Sequence, residues 1–228
     1  MPGSLDVRTQ YDSIGDEYLR GFEKYDAESR ARSYALLPPL TGARVLDIGC
    51  GDGTDVAYYL SQGAIAYGID PSSELIEKAR RKAPGARLDV GVGEMLPYAD
   101  RSMDVITSTY ALQTSDDVPK ILSEAARVLR PGGQLIYSSK HPLRQFMEKR
   151  SGAMGGVNYF QQDIVQWHIF GGAVPLSEPS HTLQEYLSPE VLMRFDIRHF
   201  EERSDFPASD RAGNDHYPCY FIMRAVRR

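Results

Sequence analysis

Four residues in the first third of the chain have types and spacing that could bind a ligand. Gly49 and Gly51 come at the end of a short apolar run, residues 44–49, that is typical of a buried strand. Glycines at a strand-to-helix turn let the backbone approach a ligand closely because they lack a Cβ atom. Asp47 stands two residues before the first glycine, and Asp70 ends the next apolar run. A carboxylate at that second position suits the two hydroxyls of a ribose.

The order of the glycines indicates which ligand such a turn would bind. They run G-x-G-x-G over residues 49–53, whereas dinucleotide enzymes use G-x-G-x-x-G to hold a pyrophosphate. Asp47 would repel a pyrophosphate and attract an ammonium group. The pattern therefore favours a ligand with an adenosine ribose and a cation but no phosphate. The alternative is a plain strand-to-helix turn, which would leave the two acidic residues unexplained.

The surrounding elements predict a fold that brings these residues together. Five apolar strand patterns alternate with helical patterns, which is typical of an α/β fold whose parallel sheet is covered on both faces. The strands are expected at residues 44–49, 64–70, 87–92, 103–108 and 134–139, with two more at 197–202 and 217–226. Helices are expected around residues 11–22, 55–62, 72–82, 118–129 and 183–195. Residues 141–181 read as a long irregular segment, rich in glycine and aromatics, of the kind that forms lids.

Several of these segments resemble one family of enzymes. Residues 45–54 resemble the first motif of class I S-adenosylmethionine-dependent methyltransferases, and Asp70 matches the acidic residue at the end of their second strand. Residues 93–98 and 125–133 resemble later parts of the same core. The resemblance covers roughly residues 11–139 and is closest to the ubiquinone/menaquinone-biosynthesis-like (type 11) group of small-molecule methyltransferases. It implies a Rossmann-like, doubly wound, mostly parallel seven-stranded sheet, with S-adenosylmethionine as the cofactor.

The resemblance also implies that ten residues contact the cofactor: Tyr11, Tyr18, Asp47, Gly49, Gly51, Asp70, Gly93, Glu94, Met95 and Thr109. The two tyrosines would close over the cofactor from the first helix, or else pack in the core. Asp47 would lie near the ammonium group through backbone and water. One position departs from the family, because Val92 stands where many relatives carry an aspartate that binds the adenine amino group. That contact would then come from a backbone group or from Glu94.

The predicted substrate site lies in the second half of the chain, where all five histidines follow the fifth strand. Its candidate residues are Tyr110, His141, Trp167, His168, Phe170 and His181. His141 directly follows the strand, at the edge where ligands bind in such sheets, and histidine suits a general base near neutral pH. It is the candidate catalytic residue, with substrate hydrogen bonding or a structural role as alternatives. Trp167 and Phe170 would form an apolar wall, or would pack on the core.

The composition narrows the classes of partner. A net charge of −5 and a pI near 5.6 disfavour a nucleic-acid substrate, which usually meets a basic patch. Two cysteines, no signal-peptide pattern and no apolar run of membrane-spanning length predict a cytoplasmic protein that is not bound to a membrane. The histidine spacing shows no metal-binding pattern, so no metal is predicted. The sequence does not indicate an oligomeric state.

The expected organisation is one domain, residues 1–228, with a helical cap (1–40), a cofactor-binding core (41–139), a substrate lid (140–182) and a final helix with strands (183–228). The predicted reaction is methyl transfer from S-adenosylmethionine to oxygen, nitrogen or carbon of a small molecule. The alternatives are an RNA or protein methyltransferase, or a protein that binds S-adenosylmethionine without catalysis.

Overall fold

Neighbouring residues along each central strand point to opposite faces of one sheet, and both faces are covered. In the computed structural model, which describes residues 7–25, 27–169, 174–204 and 215–228, Leu46 packs in one apolar cluster with helix residues such as Leu122. Val45 packs in a second cluster with Val56 and Ile76. Side chains alternate in this way along a strand. The two clusters are therefore the cores on either side of an α/β sheet.

The elements in chain order are α1 (Val7–Tyr25), α2 (Ala27–Ala35), β1 (Arg44–Ile48), α3 (Thr54–Ser61), β2 (Ile65–Asp70), α4 (Ser73–Lys82), β3 (Arg87–Val90), β4 (Met103–Thr109), a 3₁₀ turn (Leu112–Thr114), α5 (Val118–Val128), β5 (Leu129–Lys140), α6 (Pro142–Ser151), β6 (Ile164–Ile169), β7 (Val174–Pro179), α7 (Leu183–Tyr186), α8 (Pro189–Arg194), β8 (Phe195–Arg203) and β9 (Tyr220–Arg227). Within the described ranges, no helix is long and apolar enough to cross a membrane.

The main sheet has seven strands in the order β3-β2-β1-β4-β5-β9-β8. Strands β1 to β5 are parallel, and β9 is antiparallel to both of its neighbours. The chain moves outward in one direction from β1 to β3 and in the other from β4. The change of direction leaves a crevice at the carboxyl ends of β1 and β4, where open α/β sheets bind ligands. The predicted fold is confirmed.

Side-chain caps define where several helices begin. The Ser72 hydroxyl accepts a hydrogen bond from the backbone N–H of Leu75 at 3.1 Å, which starts α4 directly after β2. Asp117 caps α5 in the same way through the N–H of Lys120 at 3.0 Å. Such caps satisfy N–H groups that have no partner inside the helix. The α4 cap also fixes the loop that carries Asp70, so it supports the candidate site.

The prediction that residues 141–181 form an irregular segment is wrong. Residues 141–181 contain α6 and a hairpin of β6 and β7, which form a separate two-stranded sheet. The glycines that suggested an irregular segment, Gly152 and Gly155 among them, lie between α6 and the hairpin. Along β6, Val165 is buried while its neighbour Gln166 is exposed, a period of two that is typical of a strand. Whether this segment acts as a lid stays a prediction.

The helix expected at residues 183–195 is instead two short helices. Ser188 caps α8 through the N–H of Val191 at 3.3 Å, and Pro189 follows at the first helical position. Proline favours the start of a helix and disfavours the helical conformation of the residue before it. The break between α7 and α8 therefore has a local cause in the sequence.

Candidate cofactor site

Two cavities lie side by side at the carboxyl ends of β1, β2 and β4. Cavity A is bordered by Tyr11, Leu19, Arg30, Gly49, Cys50, Gly51, Asp52, Thr54, Asp55, Asp70, Pro71, Leu75, Thr109, Tyr110, Ala111 and Thr114. Cavity B is bordered by Arg8, Ile48, Gly49, Ile69, Pro71, Gly91, Val92, Gly93, Glu94, Ala111, Thr114, Ser115, Asp116, Asp117 and Ile121. They share four residues, including Gly49 and Ala111. The arrangement can hold an elongated ligand with one end in each cavity.

The glycine loop after β1 needs its glycines for two different reasons. Gly49 and Gly51 have φ angles of +74° and +53°, in the left-handed region that residues with a Cβ atom rarely adopt. A Cβ added at Gly49 would lie 2.1 Å from the Cβ of Ala111, whereas one added at Gly51 would meet nothing within 4 Å. Gly49 therefore permits close packing with the end of β4. Gly51 leaves open space beside cavity A.

Asp70 is the acidic group best placed to bind a ligand at this site. One carboxylate oxygen accepts the N–H of Gly51 at 2.9 Å, and the other accepts the N–H of Ser72 at 2.9 Å. Each oxygen has a second lone pair free for an outside donor. Burial raises the pKa of the Asp70 carboxyl to about 6, although the two N–H contacts oppose that effect. The result is an oriented pair of acceptors, as two adjacent hydroxyls would require.

Asp47 lies behind cavity A rather than in it. Its side chain is almost fully buried, and one oxygen accepts the Thr107 hydroxyl at 2.9 Å. Burial, reinforced by the nearby Asp55 carboxylate, raises the pKa of Asp47 well above its usual value. Any effect on a ligand in cavity A must therefore pass through intervening groups. This placement is compatible with the indirect role expected from the sequence, which stays a prediction.

Arg30 and Asp55 were not identified from the sequence, although both border cavity A. The Arg30 Nε atom lies 2.8 Å from an Asp55 oxygen, and Tyr34 donates a short hydrogen bond to the same carboxylate. The contact joins α2 to the first turn of α3. Arg30 neutralises Asp55 and Lys82 neutralises Asp52. Asp70 is left as the bordering carboxylate that favours a cationic ligand. Arg30 lies in a polar helix, and the residues around it in the sequence do not indicate this contact.

Cavity B carries the residues expected beside the adenine, with one exception. A Cβ added at Gly93 would lie 2.9 Å from Ile48 and 3.1 Å from Ile121, so the glycine lets these apolar side chains close on the cavity. Glu94 borders the cavity and accepts a short hydrogen bond from the Ser115 hydroxyl. Met95 lies outside both cavities and is 75% exposed, so the structure does not support a contact there. Val92 borders the cavity instead.

The structure does not bring His141 to the cavities. Its ring is buried beneath α6, where Nδ1 accepts the N–H of Leu143 at 3.0 Å and Nε2 lies 2.8 Å from Glu202. Because Nδ1 accepts a hydrogen bond, Nε2 carries the proton and donates to the carboxylate. Burial lowers the pKa of His141 despite the opposing effect of Glu202. Nδ1 caps α6 and Nε2 is paired with Glu202 on β8, so both ring nitrogens have structural partners, which supports the structural alternative rather than a base.

The other predicted substrate residues fall in different places. Tyr110 borders cavity A, as do the predicted cofactor residues Tyr11 and Thr109. His181 is buried, with its ring nitrogens 2.7 Å from Glu185 and 3.1 Å from the carbonyl oxygen of Gln113, and it does not reach either cavity.

Two more of these residues lie on the β6–β7 hairpin, with Trp167 half-buried and His168 exposed on the opposite face of β6. Neither borders cavity A or cavity B. The side chain of Tyr18 and all of Phe170 lie outside the described residues.

Comparisons with known proteins agree with this geometry. Residues 46–137 match the model of a methyltransferase domain family. The chain is 35% identical over 118 residues to a malonyl-[acyl-carrier protein] O-methyltransferase of Pectobacterium atrosepticum, covering 52% of this chain and 47% of that protein. It is 30% identical over 138 residues to a demethylmenaquinone methyltransferase of Renibacterium salmoninarum, covering 60% and 57%. The chain thus spans about half the length of the curated relatives it matches.

A solved S-adenosylmethionine-dependent methyltransferase from Mesorhizobium loti has the same fold, with a TM-score of 0.68 and 24% identity over 87% of this chain and 96% of that one. The shared fold agrees with the match of residues 46–137 to the methyltransferase domain family. The fold predicted from the motifs is confirmed, and the match over residues 46–137 agrees with the predicted methyltransferase family. S-adenosylmethionine is named as the methyl donor of the structurally similar methyltransferase.

Proposed function

We propose that the protein transfers a methyl group from S-adenosylmethionine to a small-molecule acceptor. The observation that carries the proposal is the Asp70 carboxylate at cavity A, which shares part of its border with cavity B. Each Asp70 oxygen is oriented by one backbone N–H, from Gly51 or Ser72, and each keeps a free lone pair. The open space beside Gly51 leaves room for a ligand chain next to that carboxylate.

The residues present fit the two ends of this cofactor. Asp70 would hold the ribose hydroxyls at the edge of cavity A. Gly93 and Val92 would face the adenine in cavity B, and the acidic surroundings of cavity A would favour the sulfonium and ammonium groups. No pyrophosphate-binding feature is needed for such a ligand. When bound, S-adenosylmethionine supplies a methyl group that is already activated for in-line displacement.

The chain's own residues would act by alignment and by exclusion of water. Leu19 and Leu75 give cavity A an apolar wall, and Tyr11 and Tyr110 border the same space from α1 and from the end of β4. A dry wall of this kind strengthens electrostatic interactions inside the site. Trp167 on the hairpin and the lid role of residues 140–182 remain proposals for the substrate side.

The acceptor is proposed from the relatives as a small molecule. One relative is named as an O-methyltransferase of malonyl-[acyl-carrier protein] and another as a demethylmenaquinone methyltransferase. The net charge of −5 supports a substrate other than nucleic acid. A cytoplasmic location and one continuous domain also remain predictions from the sequence.

Calorimetric titration with S-adenosylhomocysteine, with NAD as a control ligand, tests the proposal. We expect binding of S-adenosylhomocysteine and none of NAD. A screen of metabolites with a labelled methyl donor would then identify the acceptor, with RNA and protein substrates included. If the purified chain binds S-adenosylhomocysteine but methylates nothing in any of these classes, the non-catalytic alternative is favoured. No binding of S-adenosylhomocysteine would contradict the cofactor assignment.

A further inference from the structure

Tyr110, just after the end of β4, has an unusual backbone conformation. Its φ angle is +52°, and Arg101 is the one other described residue besides glycine with a positive φ. This left-handed conformation is unfavourable for a residue with a Cβ atom and persists where surrounding contacts enforce it. Strained backbone of this kind is often found at functional sites. The contacts that hold Tyr110 in this conformation are therefore candidates for a functional role.

Two hydrogen bonds hold the peptide groups on either side of Tyr110. Its N–H donates to the carbonyl of Ser138 on β5 at 3.0 Å. Its own carbonyl accepts the Nε2 amide of Gln113 at 2.7 Å. The first contact continues the strand pairing, but the second comes from a side chain three residues further on. The Gln113 amide therefore helps to fix the turn after the strand ends, together with the edge-on contact between the rings of Tyr110 and Tyr220.

Gln113 is itself held rigidly from its other side. It is 4% exposed, and its side-chain oxygen accepts the Ser139 hydroxyl at 3.1 Å. That hydroxyl also lies 2.9 Å from the hydroxyl of Tyr186 on α7. The Gln113 backbone carbonyl is 3.1 Å from Nε2 of His181. A buried amide whose oxygen and nitrogen both have hydrogen-bond partners is restricted in orientation, which suits it to position the atom to which it donates.

The conformation of Tyr110 determines how the strand end meets the glycine loop. The next residue, Ala111, packs closely on Gly49. A Cβ added at Gly49 would lie 2.1 Å from the Ala111 Cβ. Gly49 and Ala111 border both cavities, and Thr109 and Tyr110 border cavity A. A change of φ at Tyr110 would move Ala111 relative to Gly49 and so alter the border that the two cavities share.

We propose that Gln113, which borders neither cavity, is a positioning residue of the cofactor site. Its side-chain amide holds Tyr110 in the left-handed conformation and thereby holds Ala111 against Gly49. This inference rests on the proposed function, because the ligand used to test it is S-adenosylhomocysteine. The role is distinct from core packing, since it acts through one backbone carbonyl.

The test compares variants that differ in this one contact. Gln113→Met keeps the length of the side chain but removes the donor, and we expect it to weaken S-adenosylhomocysteine binding by about tenfold, the order expected for one buried hydrogen bond. Tyr186→Phe removes a hydrogen bond on the far side of the same network and leaves the Tyr110 contact intact. We expect this matched control to lower the melting temperature without changing affinity.

Glycine at position 110 separates positioning from general stability, because glycine adopts a positive φ without help. If Gln113 acts through the Tyr110 backbone, Gln113→Met should have no further effect on affinity in a Tyr110→Gly background. An equal loss in both backgrounds, or no loss in the wild-type background, would overturn the proposal.

Should Gln113→Met fail to fold alone, Gln113→Glu gives the same comparison, since it keeps the acceptor for Ser139 and loses the donor. Failure of the wild-type protein to bind would contradict the proposed function and this inference together, whereas wild-type binding with unaffected variants contradicts this inference alone.

Discussion

The backbone N–H of Gly51 donates to a carboxylate oxygen of Asp70 at 2.9 Å, which joins the glycine loop after β1 to the end of β2. The other oxygen of Asp70 accepts the N–H of Ser72, the residue that caps α4. The carboxylate is therefore oriented by two separate elements before any ligand arrives. An acceptor that needs no rearrangement on binding contributes more to affinity.

Replacing Asp70 by asparagine should weaken S-adenosylhomocysteine binding by roughly tenfold to a hundredfold, because hydrogen bonds to charged acceptors contribute about 1.5–3 kcal/mol each. The amide would also place a donor against the N–H of Gly51 or Ser72. Calorimetric titration measures the change. Asp104→Asn is the control, since Asp104 pairs with Arg130 away from the cavities, and it should leave affinity unchanged.

Binding should also depend on pH through the same carboxyl. Burial raises the Asp70 pKa to about 6, and the ribose hydroxyls require the ionised form as their acceptor. Affinity should therefore be full above pH 6 and fall as the pH drops below it, by up to about tenfold per unit. Asp70→Asn should lack this dependence. Wild-type affinity that stays constant from pH 8 to pH 5 would show that Asp70 does not bind the ligand in its charged form.

The positions of the candidate cofactor residues could be predicted because these residues end strands or directly follow them. A strand pattern places Gly49, Asp70 and Thr109 at one edge of the sheet, whatever the rest of the chain does. The contact of Arg30 with Asp55 could not be predicted, because it depends on how α2 packs against α3. His141 shows a similar limit, since Glu202, 61 residues later, occupies its second ring nitrogen. Contacts between residues so far apart in the sequence leave no local sequence pattern.

Residues 141–181 show why composition alone was misleading. The glycines there indicated an irregular segment, yet the strand alternation that includes Trp167 was present in the same stretch. Glycines occur in the turns that connect helices and strands as well as in segments without regular structure. The positions of glycine relative to the apolar alternation, rather than their number, carry the information.

Replacing His141 should affect stability rather than cofactor binding. His141→Ala removes the cap of α6 and should cost ~1 kcal/mol of unfolding free energy, while His141→Asn retains a capping acceptor and should cost less. Urea unfolding measures both, and S-adenosylhomocysteine affinity should be unchanged in each variant. Once an acceptor is known, turnover per folded molecule should also be unchanged. A loss of turnover in His141→Asn with unchanged stability would restore the general-base hypothesis.

The same histidine should make stability depend on pH. Burial lowers its pKa below the usual value of 6.5, so between the two values the unfolded chain binds more protons than the folded one. Its contribution is therefore present above pH 6.5 and is lost as the pH falls through the lowered value. The wild-type protein should lose more unfolding free energy between pH 7.5 and 5 than His141→Asn does. Equal losses would contradict the assignment of Nδ1 as an unprotonated cap.

Alanine at the two loop glycines should separate folding from binding. Gly49→Ala would force a Cβ into the Cβ of Ala111 and should destabilise the fold by about 1–3 kcal/mol, with partial recovery in Gly49→Ala/Ala111→Gly. Gly51→Ala meets no protein atom within 4 Å, so it should cost only about 1 kcal/mol for its left-handed backbone. It should nevertheless weaken S-adenosylhomocysteine binding by about tenfold. Normal affinity in a folded Gly51→Ala protein would place the ligand elsewhere.

Gln10 on α1 binds the outer edge of the β6–β7 hairpin as a peptide group would. Its side-chain oxygen accepts the N–H of Ser177 at 2.8 Å, and its side-chain nitrogen donates to the Ser177 carbonyl at 2.9 Å. The N–H and the carbonyl of Ser177 therefore bond to Gln10 and not to β6. The side chain of Gln10 protects the Ser177 N–H from hydrogen exchange. The adjacent residue, Tyr11, borders cavity A, and the contact therefore couples the hairpin to the cavity wall.

Gln10→Ala should speed hydrogen exchange of the Ser177 amide by about tenfold or more, because exchange follows the free energy of local opening. Amides in β1, β4 and β5 should be unaffected, and they serve as the internal control. Gln10→Glu keeps the acceptor for the Ser177 N–H and should retain part of the protection. Unchanged exchange at Ser177 in Gln10→Ala would mean that α1 does not hold the hairpin in solution. Faster exchange together with weaker S-adenosylhomocysteine binding would instead show that the hairpin and α1 cover the cofactor as one unit.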